Sequence, residues 1–222
     1  PCYYGGAGRV RGSFIRVGDS DERMSEYEIY SYEAFKRRTE DELNAVERAE
    51  ISDLDTDYVE PFMLRVKEMK PNVALQPEDK ALKMLGMTNG IKPTVAGVLV
   101  LGTYPQQYFP QLSVTAMLID GVEFAQHSEN GARFIDNKRI EGTLSQMLAE
   151  TMNFIRRNSR TATIIKADGT RADESEYPTK AIRELVLNAL IHRDYSFHTM
   201  NSPIRVLMYK DRIVIENPGG LY

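Results

Sequence analysis

The sequence predicts an α+β fold in which helices pack on a mixed sheet. Three observations carry this. Leu144, Met147, Leu148, Met152 and Ile155 recur at helical spacing, and so do Ile182, Val186, Ala189 and Leu190. Short apolar runs bounded by turn residues, such as Ser113–Ile119 and Ile204–Tyr209, read as strands. The two kinds of segment alternate without any internal repeat or low-complexity stretch.

From the start, Pro1 to Gly18 reads as two strands with a turn at Gly5, Gly6 and Gly8, closed by Gly18-Asp19-Ser20-Asp21. Ser25 stands three residues before Glu28, a capping-box spacing that opens a helix towards Arg37. Residues 38–52, charged and mixed, read as a solvated helix or an irregular link. Asp55 caps a helix to Met69, which Pro61 should bend or delay. Pro77 opens a short helix that Gly86 stops, and Asn89-Gly90 is a turn. Val95–Leu101 is expected as a buried strand, followed by a loop carrying Tyr104, Tyr108 and Phe109 between Pro105 and Pro110. Strand Ser113–Ile119 ends at Asp120-Gly121, Glu141–Asn158 is an amphipathic helix, and Thr163–Lys166 is a short strand. Pro178 starts a helix through His192. Ile204–Tyr209 and Arg212–Glu216 form a hairpin around Lys210-Asp211. The main boundary is expected at Asn89–Lys92.

Composition narrows the class. At 42% hydrophobic and 27% charged residues the chain is of ordinary globular type. No apolar run approaches the roughly 20 residues that span a bilayer, so no membrane association is expected. The formal net charge of −4 excludes a basic nucleic-acid coat over the whole chain. A single cysteine, Cys2, forms no internal disulfide and fits a cytoplasmic location. One Cys and three scattered His give no metal-ligand spacing. Pro1 at the start and a turn sequence at the end predict a segment of a longer protein.

The stretch from Tyr177 to Tyr222 carries the chemistry. On its helix, Glu184, Asn188 and His192 stand one turn apart, on a different face from Ile182, Leu185, Val186, Ala189 and Leu190, which should pack on a sheet. An amide oxygen can take a place on magnesium, and a carboxylate one turn away can orient a water towards a phosphate. The polar side of an amphipathic helix accounts for the same spacing without any chemistry. Two strands and Asn217-Pro218-Gly219-Gly220 follow, which suit either a nucleotide-binding glycine turn or a plain Pro-Gly turn. His192 reads as a satisfied helix-end histidine, and Arg193 and Asp194 as local caps or ion pairs.

Glu184-Leu185-Val186-Leu187-Asn188-Ala189-Leu190-Ile191-His192-Arg193-Asp194-Tyr195 resembles the N-box helix of the GHKL ATPases, in their Schlafen-associated, RecG-related branch. The hairpin and the glycine turn follow in that family's order. Lys92–Gly102 with Pro105 and Phe109-Pro110, and Arg11–Gly18 after Pro1–Tyr4, extend the resemblance to bacterial Schlafen/AlbA-type transcriptional regulators. It implies closing strands of an AlbA-like domain at 1–24, a helical connector at 25–90 and an incomplete GHKL-like (Bergerat-type) ATPase domain at 91–222. It implies ATP and magnesium as cofactors, Glu184 as the water-activating glutamate and Asn188 as the magnesium ligand. It sets Gly219 and Gly220 against the nucleotide. Asn217 stands where the family has an adenine-reading aspartate.

Two other classes remain open. Arg9, Arg11 and Arg16, among Tyr3, Tyr4 and Phe14, could grip a DNA or RNA backbone. The same residues also suit a hairpin edge protected by arginines. Ten methionines and the aromatic loop could instead serve a homo-oligomer interface. No G-x-x-x-x-G-K-[ST] loop occurs, so the helicase-related name implies no motor.

Overall fold

The fold comes from a computed structural model, which describes residues 2–3, 7–26, 28–29, 32–33, 40–122, 134–165, 171–196 and 199–218. The chain divides into two compact units, 1–40 and 41–222.

In the first unit, β1 (Cys2–Tyr3), β2 (Ser13–Val17) and β3 (Ser20–Arg23) form an antiparallel sheet in that order. Gly18, at φ 59°, makes the β2–β3 turn in the left-handed region that glycine tolerates. The two expected strands pair, Cys2 opposite Phe14, but Gly8–Gly12 between them is a short helix, α1, across which the Ser13 hydroxyl donates back to the Arg9 carbonyl at 2.8 Å; Gly5 and Gly6 of the expected turn lie outside the described residues. Residues 20–23 are paired strand rather than the end of a turn. The capping box holds: Ser25 N donates to Glu28 Oε2 at 2.7 Å and Glu28 N to Ser25 Oγ at 3.2 Å.

The second unit begins with 3-10 turns at Asp41–Leu43 and Ile51–Asp53 and continues into α2 (Thr56–Met69). Asp55 Oδ1 accepts the Asp57 amide at 2.9 Å, so α2 starts where the sequence places its cap, with Pro61 inside it and no delay. Short helices α3 (Pro71–Ala74) and α4 (Glu78–Met84) follow, and Gly86 at φ 73° ends the run.

Val95–Leu101 is a helix, α5, and not the expected strand. Thr94 decides this. Its Oγ1 accepts the Gly97 amide at 3.0 Å and donates to the Gly86 carbonyl at 2.5 Å. A segment apolar on every side cannot be assigned by periodicity. The helix buries Val95, Gly97, Val98, Leu99 and Leu101, packing against the 41–54 segment and α2. Gly97 permits this packing: a Cβ there would stand 1.9 Å from the Met87 carbonyl oxygen. The bridges Ala45–Thr94 and Leu54–Gly102 tie residues 41–54 to both ends of α5, so the expected boundary at Asn89–Lys92 lies within this unit.

The main sheet has four strands in the order β5 (Phe134–Ile140), β4 (Val114–Ile119), β8 (Ile204–Met208), β9 (Ile213–Glu216). β4 and β8 are parallel, from Val114 opposite Ile204 to Leu118 opposite Met208, and the outer pairs are antiparallel. A parallel pair needs a long crossover. Here it carries α6 (Leu144–Asn158) and α7 (Thr179–Ile191), with the two-stranded ribbon β6 (Thr161–Ile165) and β7 (Arg171–Ser175) between them. Both helices cover one face of the sheet. Phe154, Met147, Val186 and Leu190 pack there on Val114, Ala116, Val206 and Met208. The architecture is therefore α+β with a mixed sheet and packed helices. Among the described residues no helix is long and apolar enough to cross a membrane.

Candidate functional site

α7 starts at the N-cap residue Pro178 and turns its apolar arc onto the sheet, burying Ile182, Val186, Ala189 and Leu190. Leu185, expected in that arc, is 54% exposed, because its position falls at the margin of the buried sector. The outward face carries Glu184 and Asn188, both exposed, beside Leu185, the half-exposed Ile191 and His192. Neither the Glu184 carboxylate nor the Asn188 amide bonds to another described side chain, so both are free to meet a ligand.

The end of α7 is built more tightly. The Tyr195 hydroxyl donates to the Leu190 carbonyl at 2.7 Å, satisfying one of the acceptors that a helix end leaves open. The Asp194 amide donates to the Pro218 carbonyl at 3.0 Å. This bond joins the exit of α7 to the two described residues after β9, and α7 and β9 also pack on each other. Asn217, the first of them, is exposed. Gly219 and Gly220 lie outside the described residues. The structure thus brings the α7 end and the Asn217 turn together, in the sheet order the hairpin dictates.

Arg193 is the residue that sequence reasoning placed least well. It is 6% exposed, and it takes backbone carbonyls rather than a carboxylate. Its Nη2 donates to Thr199 O at 2.9 Å and Ser202 O at 3.0 Å, and its guanidinium lies 5.4 Å from the centre of the Tyr195 ring. Burial holds its pKa below the usual arginine value. Asp194 is a local cap as expected: its carboxylate accepts the Ser196 amide at 2.8 Å and hydroxyl at 2.9 Å. No spacing rule distinguishes a buried Arg from a surface one when it follows a helix directly.

The basic residues of the first unit form no row. Arg9 and Arg11 sit in α1 rather than along a strand face. Arg9 binds Glu33, and Arg16 Nη1 binds Asp21 Oδ1 at 3.1 Å, while Arg11 is exposed. At the end of α6, Arg157 reaches Asp136 at 2.8 Å, and together with Asn158 it holds that carboxyl below its usual range. The aromatic loop is docked: Tyr108 donates to Asp53 at 2.6 Å and Tyr104 to Glu141 at 2.9 Å.

Clefts open among the described residues. One of about 120 Å³ lies between α6 and α7, floored by Ile155, Tyr177 and Ile182 with Arg156 at its side. One of about 320 Å³ is lined by Val46, Arg48, Tyr108, Phe109 and Tyr195, with Asp41 at its side. Neither includes Glu184 or Asn188. No group of three His, Cys, Asp or Glu side chains forms a cation cage among the described residues. A magnesium ion carried by a nucleotide needs none, since phosphates and waters fill most of its positions. Asn188 and Glu184 carry an amide oxygen and a carboxylate, donors of the type such an ion takes, on the exposed face of α7. Comparison of the chain with family models, curated proteins and solved structures finds no match.

Proposed function

We propose that residues 91–222 form a GHKL-like nucleotide-binding module of a Schlafen/AlbA-type transcriptional regulator, with ATP and magnesium as its ligands. One observation carries the reading. The helix that exposes Glu184 and Asn188 on one face is tied at its end, through Asp194 N and Pro218 O, to the turn that holds Asn217. A carboxylate, an amide and a Pro-Gly turn thus belong to one helix–hairpin unit. The mixed sheet with both helices on one face supports the same reading as scaffold.

In this site Asn188 would hold the ATP-borne magnesium, which neutralises phosphate charge. Glu184 would orient a water towards the terminal phosphate. Asn217 would accept a hydrogen bond from the adenine amino group, and Gly219 and Gly220 would let backbone approach the nucleotide. An Asn side chain also donates, so its preference for adenine is weaker than an aspartate's. Arg9 and Arg16 each make an exposed ion pair with a carboxylate, which a nucleic-acid phosphate would have to displace.

The test is a calorimetric titration of the chain with ATP and magnesium, beside Asn188→Ala. Saturable binding in the wild type, weakened about tenfold or more in the variant, is expected. Equal affinity in both, or none in the wild type, would overturn the proposal.

A further inference from the structure

Arg193, Asp194 and Tyr195 form a network that the roles above leave unused. The Arg193 guanidinium is buried and spans the carbonyls of Thr199 and Ser202, at 2.9 and 3.0 Å. The Thr199 hydroxyl donates to the Asp194 carbonyl at 2.5 Å, and the Asp194 carboxylate fixes Ser196 through its amide and hydroxyl. These bonds tie residues 193–196 to residues 199–202. Among the described residues of this segment, Asp194 N is directed outward and meets Pro218 O at 3.0 Å. On the other side, Tyr195 O–H holds Leu190 O, two residues beyond Asn188.

The same loop therefore grips the helix end and the Asn217 turn at once. A nucleotide bound at one end by Asn188 and at the other by Asn217 would need those two side chains held in a fixed relation. A misplacement of about 1 Å is costly in such a site. Resting on the nucleotide-binding reading, we infer that Asp194 is a positioning residue for the nucleotide, setting the Asn217 turn against α7 through its Ser196-capped loop, with Arg193 as the buried brace of that loop.

Arg193→Ala removes a buried brace and can unfold the chain, so the test uses Asp194. Asp194→Ala loses both bonds to Ser196. Asp194→Asn keeps an oxygen for the Ser196 amide. Amide hydrogen exchange and ATP–magnesium affinity are measured on the full chain for the wild type and both variants, with the melting temperature recorded for each. Expected are faster exchange of the residue-194 amide in Asp194→Ala, about tenfold weaker nucleotide binding, and recovery of most of the affinity in Asp194→Asn. Unchanged exchange in Asp194→Ala would overturn the hold of Asp194 on the Pro218 contact, whatever the nucleotide does. Faster exchange with unchanged affinity would overturn the positioning role. Failure of the wild type to bind ATP while exchange responds as expected would overturn the nucleotide reading, and the positioning role with it.

Discussion

Tyr195 joins the end of α7 to the apolar cluster of Val46, Ala49, Val95 and Leu112, and its hydroxyl reaches back to Leu190 O. Burial pushes that hydroxyl from 10.0 up to about 12. A raised phenol pKa means that the folded state keeps its proton over a range where the unfolded state loses it. The resulting stability is fully present below pH 10.0 and is lost as pH rises towards about 12. Urea unfolding below and above this window should therefore show an alkaline loss that Tyr195→Phe reduces by on the order of 1–2 kcal/mol. At lower pH the same variant loses about 1 kcal/mol for its hydrogen bond. At Asn217 the expectation concerns selectivity. Asn217→Asp should sharpen ATP over GTP by roughly tenfold in competition binding, because a carboxylate only accepts. An unchanged ratio would remove Asn217 from the adenine contact. The exposed face of α7 that carries Glu184 and Asn188 was legible in the sequence because helical spacing marks it. Arg193 was not, because its partners are carbonyls of residues 199 and 202 that only the folded loop brings near.

At the scale of elements, α5 separates what pattern can and cannot decide. Val95–Leu101 is β-branched, short and apolar throughout, so period alone suggests a strand. Thr94 as N-cap and Gly97 against Met87 O make it a helix. Gly97→Ala should cost about 3 kcal/mol in denaturant unfolding, since its Cβ meets backbone that cannot yield cheaply. A loss well under 1 kcal/mol would show that α5 can move away from Met87. β5 was missed for the opposite reason. Its inward positions include Asp136 and Lys138, which reach Arg157 and Glu150 on α6 at 2.8 and 2.6 Å. Ion pairs replace the apolar alternation that marks a half-buried strand. β3 and the ribbon β6–β7 are held by their hairpin partners. Helices α2, α4 and α7 were found because each carries its own start signal, Asp55, Pro77 or Pro178, and α6 because Leu144, Met147, Leu148, Met152 and Ile155 recur at helical spacing.

For the whole molecule, the parallel pairing of β4 with β8 is the organising fact. It sends the chain through α6 and α7 on one face and returns it beside its starting strand. The segment after β9 is thereby set against the exit of α7, where Asp194 N meets Pro218 O. Each element of that arrangement was legible alone, but the parallel register was not, because no local pattern encodes which strand a crossover returns to. The account claims that this junction is where nucleotide binds. Amide chemical-shift mapping of the chain during titration with ATP and magnesium tests it most directly. The predicted result is saturable shifts at 184, 188, 191 and 192 together with 217. Shifts confined to the cleft of Arg48, Tyr108 and Phe109, or no saturable shifts at all, would contradict it.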